Sequence, residues 1–283
     1  MKVIREIPIL RQELKRYRLD GRRIALVPTM GYFHEGHLSL MDIARQQANV
    51  VIVSLYVNPT QFGPTEDLEK YPRDFERDER LAKEHGVDII FYPDDREMYH
   101  ESHATYVVTE KLSKLLCGKS RPIHFQGVTT IVAKLFNVVQ PDVAVFGRKD
   151  AQQAIIIQRM VEDLNFPVEI IVAPIIREPD GLAMSSRNSY LNTEERVQAV
   201  VIFQALQLAR KSVVSGNDNA AEIRGLIKAK IETAALSKIE YIEIVNETDL
   251  SPVQRIVPDT FVAVAVWFGH TRLIDNLMLM EPD

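Results

Sequence analysis

Five apolar runs rich in β-branched residues recur along the first two thirds of the chain, with helical patterns between them. This alternation limits the fold more than any other feature. The runs are RIALVPT (23–29), NVVIVSLYV (49–57), VDIIFYP (87–93), DVAVFG (142–147) and VEIIVAPI (168–175). Each is nearly continuous in its hydrophobicity rather than alternating, as expected of strands covered on both faces. HLSLMDIARQQ (37–47), TTIVAKLFNVVQ (129–140) and AQQAIIIQRMVEDL (151–164) carry helical spacing. The pattern predicts an α/β domain over 1–176, a doubly wound, Rossmann-like parallel sheet. Ligands of such sheets bind at the carboxyl edge of the strands.

After about Arg177 the pattern changes. REPDGLAMSSRNSYL has turn residues and no clear period, so it reads as a loop. A helix is expected from Asn192, an N-cap candidate with Glu195 three residues on, to a stop at Gly216. A second helix spans about 220–234, and three strand patterns follow at 238–246, 260–269 and 271–279. The last two are nearly contiguous, which predicts a tight antiparallel hairpin. The expectation for 177–283 is a smaller α+β domain.

Composition narrows the setting. The chain has 283 residues, and no uninterrupted apolar run approaches the ~18 needed for a membrane helix. The N-terminus lacks a signal-peptide centre, and Cys117 is the single cysteine, which fits a reducing cytoplasm and a role as a small apolar residue. A formal net charge of −5 argues against a nucleic-acid surface. It leaves room for small anions gripped by a local positive cluster.

PTMGYFHEGH (28–37) sets His34 and His37 three residues apart, after a strand and at a helix opening. That spacing places them on one side of the helix start, where free backbone N–H groups and the helix dipole favour an anion. Gly31 and Gly36 let backbone approach a ligand. An imidazole adds N–H donors, and titration near its usual value of about 6.5 would let it follow charge developing in a reaction. Zinc helices of metalloproteases space histidines by four residues with a glutamate between. Here a glycine intervenes and no cysteine is near, so zinc is disfavoured. Alone, the pair reads equally well as turn histidines.

Other segments carry matching chemistry. Ser185 and Ser186 of AMSSRN offer hydroxyls, and Arg187 offers a planar fork for phosphate oxygens. In FGRKDAQQ, Lys149 is a compact positive charge, while Asp150 can cap the following helix or reach a ribose or amide. Gln61 and Gln153 can read a carboxylate and hydroxyls without neutralising a nucleophile. Each of these alone also reads as a polar loop, a helix start or a surface glutamine.

Taken together, VPTMGYFHEGHLSL, VNPTQFGPTEDLEKYPR, SRPIHFQGVTTIVAKLFNVVQPD, FGRKDAQQ, DGLAMSSRNSYL and RLIDN resemble, in order, the pantothenate synthetase (pantoate–β-alanine ligase) family. That family lies within the nucleotidyltransferase superfamily, with its HIGH-type motif. The resemblance implies ATP-dependent condensation of pantoate with β-alanine through pantoyl adenylate, releasing AMP and pyrophosphate. It implies an ATP site of Met30, Gly31, His34, Gly36, His37, Gly147, Arg148, Lys149, Asp150, Ile176, Met184, Ser185, Ser186 and Arg187. Met30, Gln61 and Gln153 would bind pantoate, and Gln61 and Asn58 would bind β-alanine. Arg121 and Asp78 are weaker candidates. His34, His37 and Lys149 would be catalytic, with His37 also supplying a proton to the leaving group. Arg148 stands where Glu or Gln is expected, a departure that touches only its side chain, since the resemblance implies a backbone contact there. Arg77–Asp78 stand where an acidic pair is expected, so Mg²⁺ would arrive on the ATP rather than on a protein site. A homodimer is implied too. The rivals are another adenylate-forming ligase and a non-catalytic nucleotide-binding module.

Overall fold

The computed structural model describes residues 1–64 and 66–280. Thr65 of the second quoted block and the last three residues of the expected C-terminal domain lie outside the described residues. Six parallel strands form the first sheet: β1 (Lys2–Ile4), β2 (Ile24–Thr29), β3 (Val50–Leu55), β4 (Ile89–Phe91), β5 (Val143–Gly147) and β6 (Glu169–Ala173). Their order is β1-β4-β3-β2-β5-β6. Helices α1 (Ile7–Leu19), α2 (Glu35–Gln47), α3 (Phe75–Glu84), α6 (His124–Val139) and α7 (Ala151–Asp163) cover the two faces, with single turns α4 (Asp95–Met98) and α5 (Cys117–Ser120) in the connections.

Successive residues of one strand enter different cores. Ile24 and Leu26 of β2 pack with Ile52, Phe91 and the α1 and α6 residues Leu10, Leu14 and Phe136. Ala25 and Val27 pack with Val51, Val53 and the α2 residues Leu38 and Met41. This two-sided burial is why the strands read as unbroken apolar runs. β1 escaped sequence reading because it holds only two apolar residues, between Lys2 and Arg5, too few to show a pattern.

The winding reverses between β2 and β5: β3 and β4 extend the sheet to one side, β6 to the other. The carboxyl ends Thr29 and Gly147 therefore flank the switch point, where open α/β sheets form their ligand crevice.

The C-terminal part comprises α8 (Thr193–Ala199), α9 (Val201–Val214), α10 (Ala220–Ile231) and an antiparallel sheet of β7 (Ser237–Asn246), β8 (Thr260–Phe268) and β9 (Thr271–Met278). Asn192 and Glu195 close a capping box at 2.9 and 3.0 Å. The single helix expected there is interrupted at Val200, whose backbone stays right-handed (φ −60, ψ −22), so the break is a loosened turn. By length and composition Thr193–Val214 would pass as a membrane span. Its Ile202, Ala205, Leu206 and Ala209 instead pack with Ile223, Ile244 and Val264 in a third core. The predicted hairpin is present: Phe268 pairs with Thr271, and Gly269 turns the chain at φ +55. A further apolar cluster spans the seam between the two sheets, joining Leu112, Phe125 and Ile156 to Val245, Phe261 and Met278.

Candidate active site

At the switch point a cleft of about 1440 Å³ opens between the first sheet and the C-terminal part. Its wall takes in Met30, His34, Gly36, His37, Asn58, Gln61, Arg121, Gly147, Lys149, Asp150, Gln153, Ile176, Met184, Ser185, Ser186 and Arg187. Three expected residues are off this wall: Gly31, Asp78 and Arg148.

The β2–α2 loop builds one lip. Gly31 (φ +84) turns the chain, and a Cβ there would lie 3.0 Å from Asp78 Oδ2. Its role is the turn rather than contact with a ligand. Asp78, fully buried on α3, accepts the backbone N–H groups of Tyr32 (2.6 Å) and Phe33 (2.7 Å). Asp78 thus braces the loop from behind, one backbone N–H on each oxygen. His34 then caps α2. Its Nδ1 accepts from Gly36 N (3.1 Å), and His37 Nδ1 accepts from His34 N (3.3 Å). With each Nδ1 accepting, the neutral rings carry their proton on Nε2 and offer it as a donor. The ring centroids stand 4.1 Å apart, and a Cβ at Gly36 would come within 2.9 Å of His34.

The sequence suggests titration near neutrality for these imidazoles, and the structure corrects this. Burial, then the charge of Lys149, holds the His34 pKa down at about 4. Burial, then His34 and Lys149, holds His37 well below its ordinary value. Both rings are therefore neutral donors at pH 7.

The turn after β5 supplies Lys149, whose Nζ lies 3.4 Å from Asp150 Oδ2. Asp150 sits at the N-cap of α7 but makes no side-chain cap bond, contrary to expectation. Burial pushes its pKa up, but the charge and hydrogen bond of Lys149 bring it below the ordinary value. Arg148 swings out of the cleft to Glu247 (2.7 Å). The carbonyls of Arg148 and Lys149 accept from Asn276 Nδ2 at 2.9 and 3.0 Å, so β9 fixes this turn. Next to Asn276, Asp275 holds Arg177 through both oxygens, at 2.7 and 3.0 Å.

The Met184–Arg187 stretch crosses to the opposite lip. Met184 N bonds the Ile176 carbonyl (3.0 Å), and Ser186 Oγ reaches the Tyr32 carbonyl (3.4 Å), so the two distant segments touch. Arg187 is not free: Asp67 takes its Nε and Nη2, each at 2.9 Å. The adjacent Glu66 likewise takes Arg121, at 2.8 and 2.5 Å. Sequence reasoning missed this acidic pair because nothing in EDLEK distinguishes it from a solvated loop.

Beside these charges stands a set of neutral side chains. Gln61 Nε2 donates to Met30 Sδ (3.1 Å), and its Oε1 accepts from Asn58 Nδ2 (3.2 Å). Asn58 is buried, also bonded to the Gly127 carbonyl, Tyr99 and Thr60, so its amide holds Gln61 in place. Gln153 faces the cleft from the first turn of α7. Cys117 is buried at the seam, its Sγ 3.1 Å from the Tyr241 hydroxyl.

Known proteins share this fold and much of this sequence. The family profile described as Pantoate-beta-alanine ligase matches residues 2–278. The pantothenate synthetase of Moorella thermoacetica is 52% identical over 283 residues, covering 100% of both chains. That of Thermotoga petrophila is 52% identical over 279 residues, covering 99% of this chain and 100% of its own. The crystal structure of pantothenate synthetase from Thermus thermophilus superposes with a TM-score of 0.95 at 44% identity, over 99% of this chain and 100% of that one. The pantoate-beta-alanine ligase of Francisella tularensis, complexed with beta-gamma ATP and beta-alanine, gives a TM-score of 0.82 at 30% identity, over 100% of this chain and 99% of that one. The chain belongs to the pantoate–β-alanine ligase family.

Proposed function

We propose that the chain joins pantoate to β-alanine at the expense of ATP, by way of pantoyl adenylate. The observation that carries this reading is the meeting of the histidine loop and the Ser185–Arg187 stretch across one cleft at the switch point. In the first half, a pantoate carboxylate oxygen attacks the α-phosphorus and pyrophosphate departs. In the second, the β-alanine amine attacks the acyl carbon and AMP departs. Neither half needs a protein nucleophile. Catalysis rests on positioning and on donors aimed at charge growing on phosphate oxygens. The donors are His34 and His37 Nε2–H, Lys149, Ser185, Ser186 and Arg187. Gly36, Gly147, Asp150, Ile176 and Met184 shape the nucleotide wall. Met30, Gln61 and Gln153 take pantoate, and Gln61, Asn58 and Arg121 border β-alanine.

A neutral imidazole donates a hydrogen bond but does not readily surrender its proton. The proton-donor role of His37 therefore depends on the bound triphosphate, whose negative charge raises the imidazole pKa. Magnesium fits as a passenger on the nucleotide: the cleft carboxylates Glu66, Asp67 and Asp150 each face a cation of the protein. A cytoplasmic homodimer is the setting we propose, on the family likeness and the lone cysteine.

The test mixes the protein with Mg·ATP, pantoate and β-alanine, measures AMP and pantothenate together, and omits each acid in turn. Equal yields that need both acids support the reading. AMP release with another acid pair would place the chain with a different adenylate-forming ligase, and no AMP would make it a binding module.

A further inference from the structure

His124 has no part in the scheme above, yet its ring is held at the cleft. It opens α6, and its Nδ1 lies 2.9 Å from the Gln61 carbonyl oxygen. A carbonyl only accepts, so Nδ1 carries the ring proton and Nε2 keeps its lone pair. Phe125 packs edge-on against the ring, with centroids 4.9 Å apart. The ring lines the cleft, and among the described residues no protein group is hydrogen-bonded to Nε2. Arg121 Nη2 reaches the same Gln61 carbonyl at 3.4 Å. The free nitrogen therefore belongs to the Gln61 end of the cleft, the end assigned above to the acids rather than the triphosphate.

We propose that His124 is the proton acceptor of the second half-reaction, its Nε2 taking the N–H proton of the amine that attacks pantoyl adenylate. The inference rests on the reaction proposed above. The nitrogen lone pair forms the C–N bond, the N–H proton passes to Nε2, and the acyl C–O bond to AMP breaks with its electron pair leaving on the phosphate. Afterwards the imidazolium returns its proton to water in the cleft.

The charge environment agrees. Burial first, then the charge of Arg121, holds the His124 pKa down at about 4, while the Gln61 carbonyl, Glu66 and Asp150 pull the other way. The ring is therefore unprotonated at neutral pH. So weak a base cannot deprotonate free β-alanine, whose amine must arrive neutral. It suits the N-protonated tetrahedral adduct, which is far more acidic than an alkylammonium. The negative charge of departing AMP then favours the imidazolium.

The two half-reactions separate this role from a structural one. Adenylate formation is read by pantoate-dependent exchange of pyrophosphate into ATP. Aminolysis is read by mixing isolated enzyme-bound pantoyl adenylate with β-alanine in a single turnover. His124→Asn keeps an N–H for the Gln61 carbonyl but has no base. It is expected to slow aminolysis about 100-fold at saturating β-alanine, with exchange within about threefold of the unaltered protein. His124→Ala should behave similarly, and added imidazole should restore aminolysis without changing exchange. Aminolysis within about threefold of the unaltered protein in His124→Asn, or equal losses in both halves, would overturn the proposal. Absence of exchange in the unaltered protein would overturn the reaction itself, and this inference with it.

Discussion

Two imidazoles within ring contact of each other and near a lysine do not share positive charge, and this decides what His34 and His37 can do. They act as fixed, uncharged donors whose orientation is set by backbone N–H groups at Nδ1. Removing such a donor from a preorganised site costs about 100- to 1000-fold in turnover. His37→Ala and Lys149→Ala are each expected to fall in that range in the pantothenate assay, and near-normal turnover in both would refute their assignment. The same neutrality shapes stability. The unfolded chain binds protons at His34 and His124 from 6.5 downward, whereas the folded chain resists until about 4. The unfolded state then holds more protons, so stability falls as pH drops through that window. Denaturant midpoints measured from pH 7 to 4 should decline, and the slope should shrink in His124→Asn. An unchanged slope would mean that His124 titrates normally in the folded protein.

At the scale of elements, the loop carrying Glu66 and Asp67 bears on the ligand most directly. Its carboxylates occupy the guanidinium groups that a phosphate or substrate carboxylate would seek. Partly exposed pairs of this kind contribute on the order of 1 kcal/mol, so Asp67→Asn should lower the ATP KM by up to about fivefold by freeing Arg187. A higher KM would show that Asp67 helps hold the nucleotide. This pairing was illegible in the sequence because it joins residues 120 positions apart through tertiary packing. Asp78, a weaker site candidate by its motif, stands behind the loop for a related reason: packing turns it onto the amides of Tyr32 and Phe33. The strands of the first sheet were legible because burial on both faces leaves unbroken apolar runs. The histidine loop was legible because glycines and a helix start fix its local geometry whatever surrounds it. The Asn192–Glu195 box was read from three-residue spacing alone and is present. The motif implies a nucleotide contact for Arg148 through backbone only, and its side chain is drawn away by Glu247, far along the chain.

At the scale of the whole molecule, the seam between the two sheets is part of the site. Asp275 is buried against Arg177, and removing one partner of a buried pair costs about 3–5 kcal/mol. Asp275→Ala should therefore lower the melting temperature markedly, as followed by circular dichroism; an unchanged melting curve would show the pair to be incidental. Next to it, Asn276 of the last strand clasps two carbonyls of the turn that presents Lys149. The last strand thus acts at a distance as jig and clamp for a loop made much earlier in the chain. Chemistry and architecture then fail together: in a urea series, turnover and ellipticity should trace one superimposable curve rather than two staggered ones.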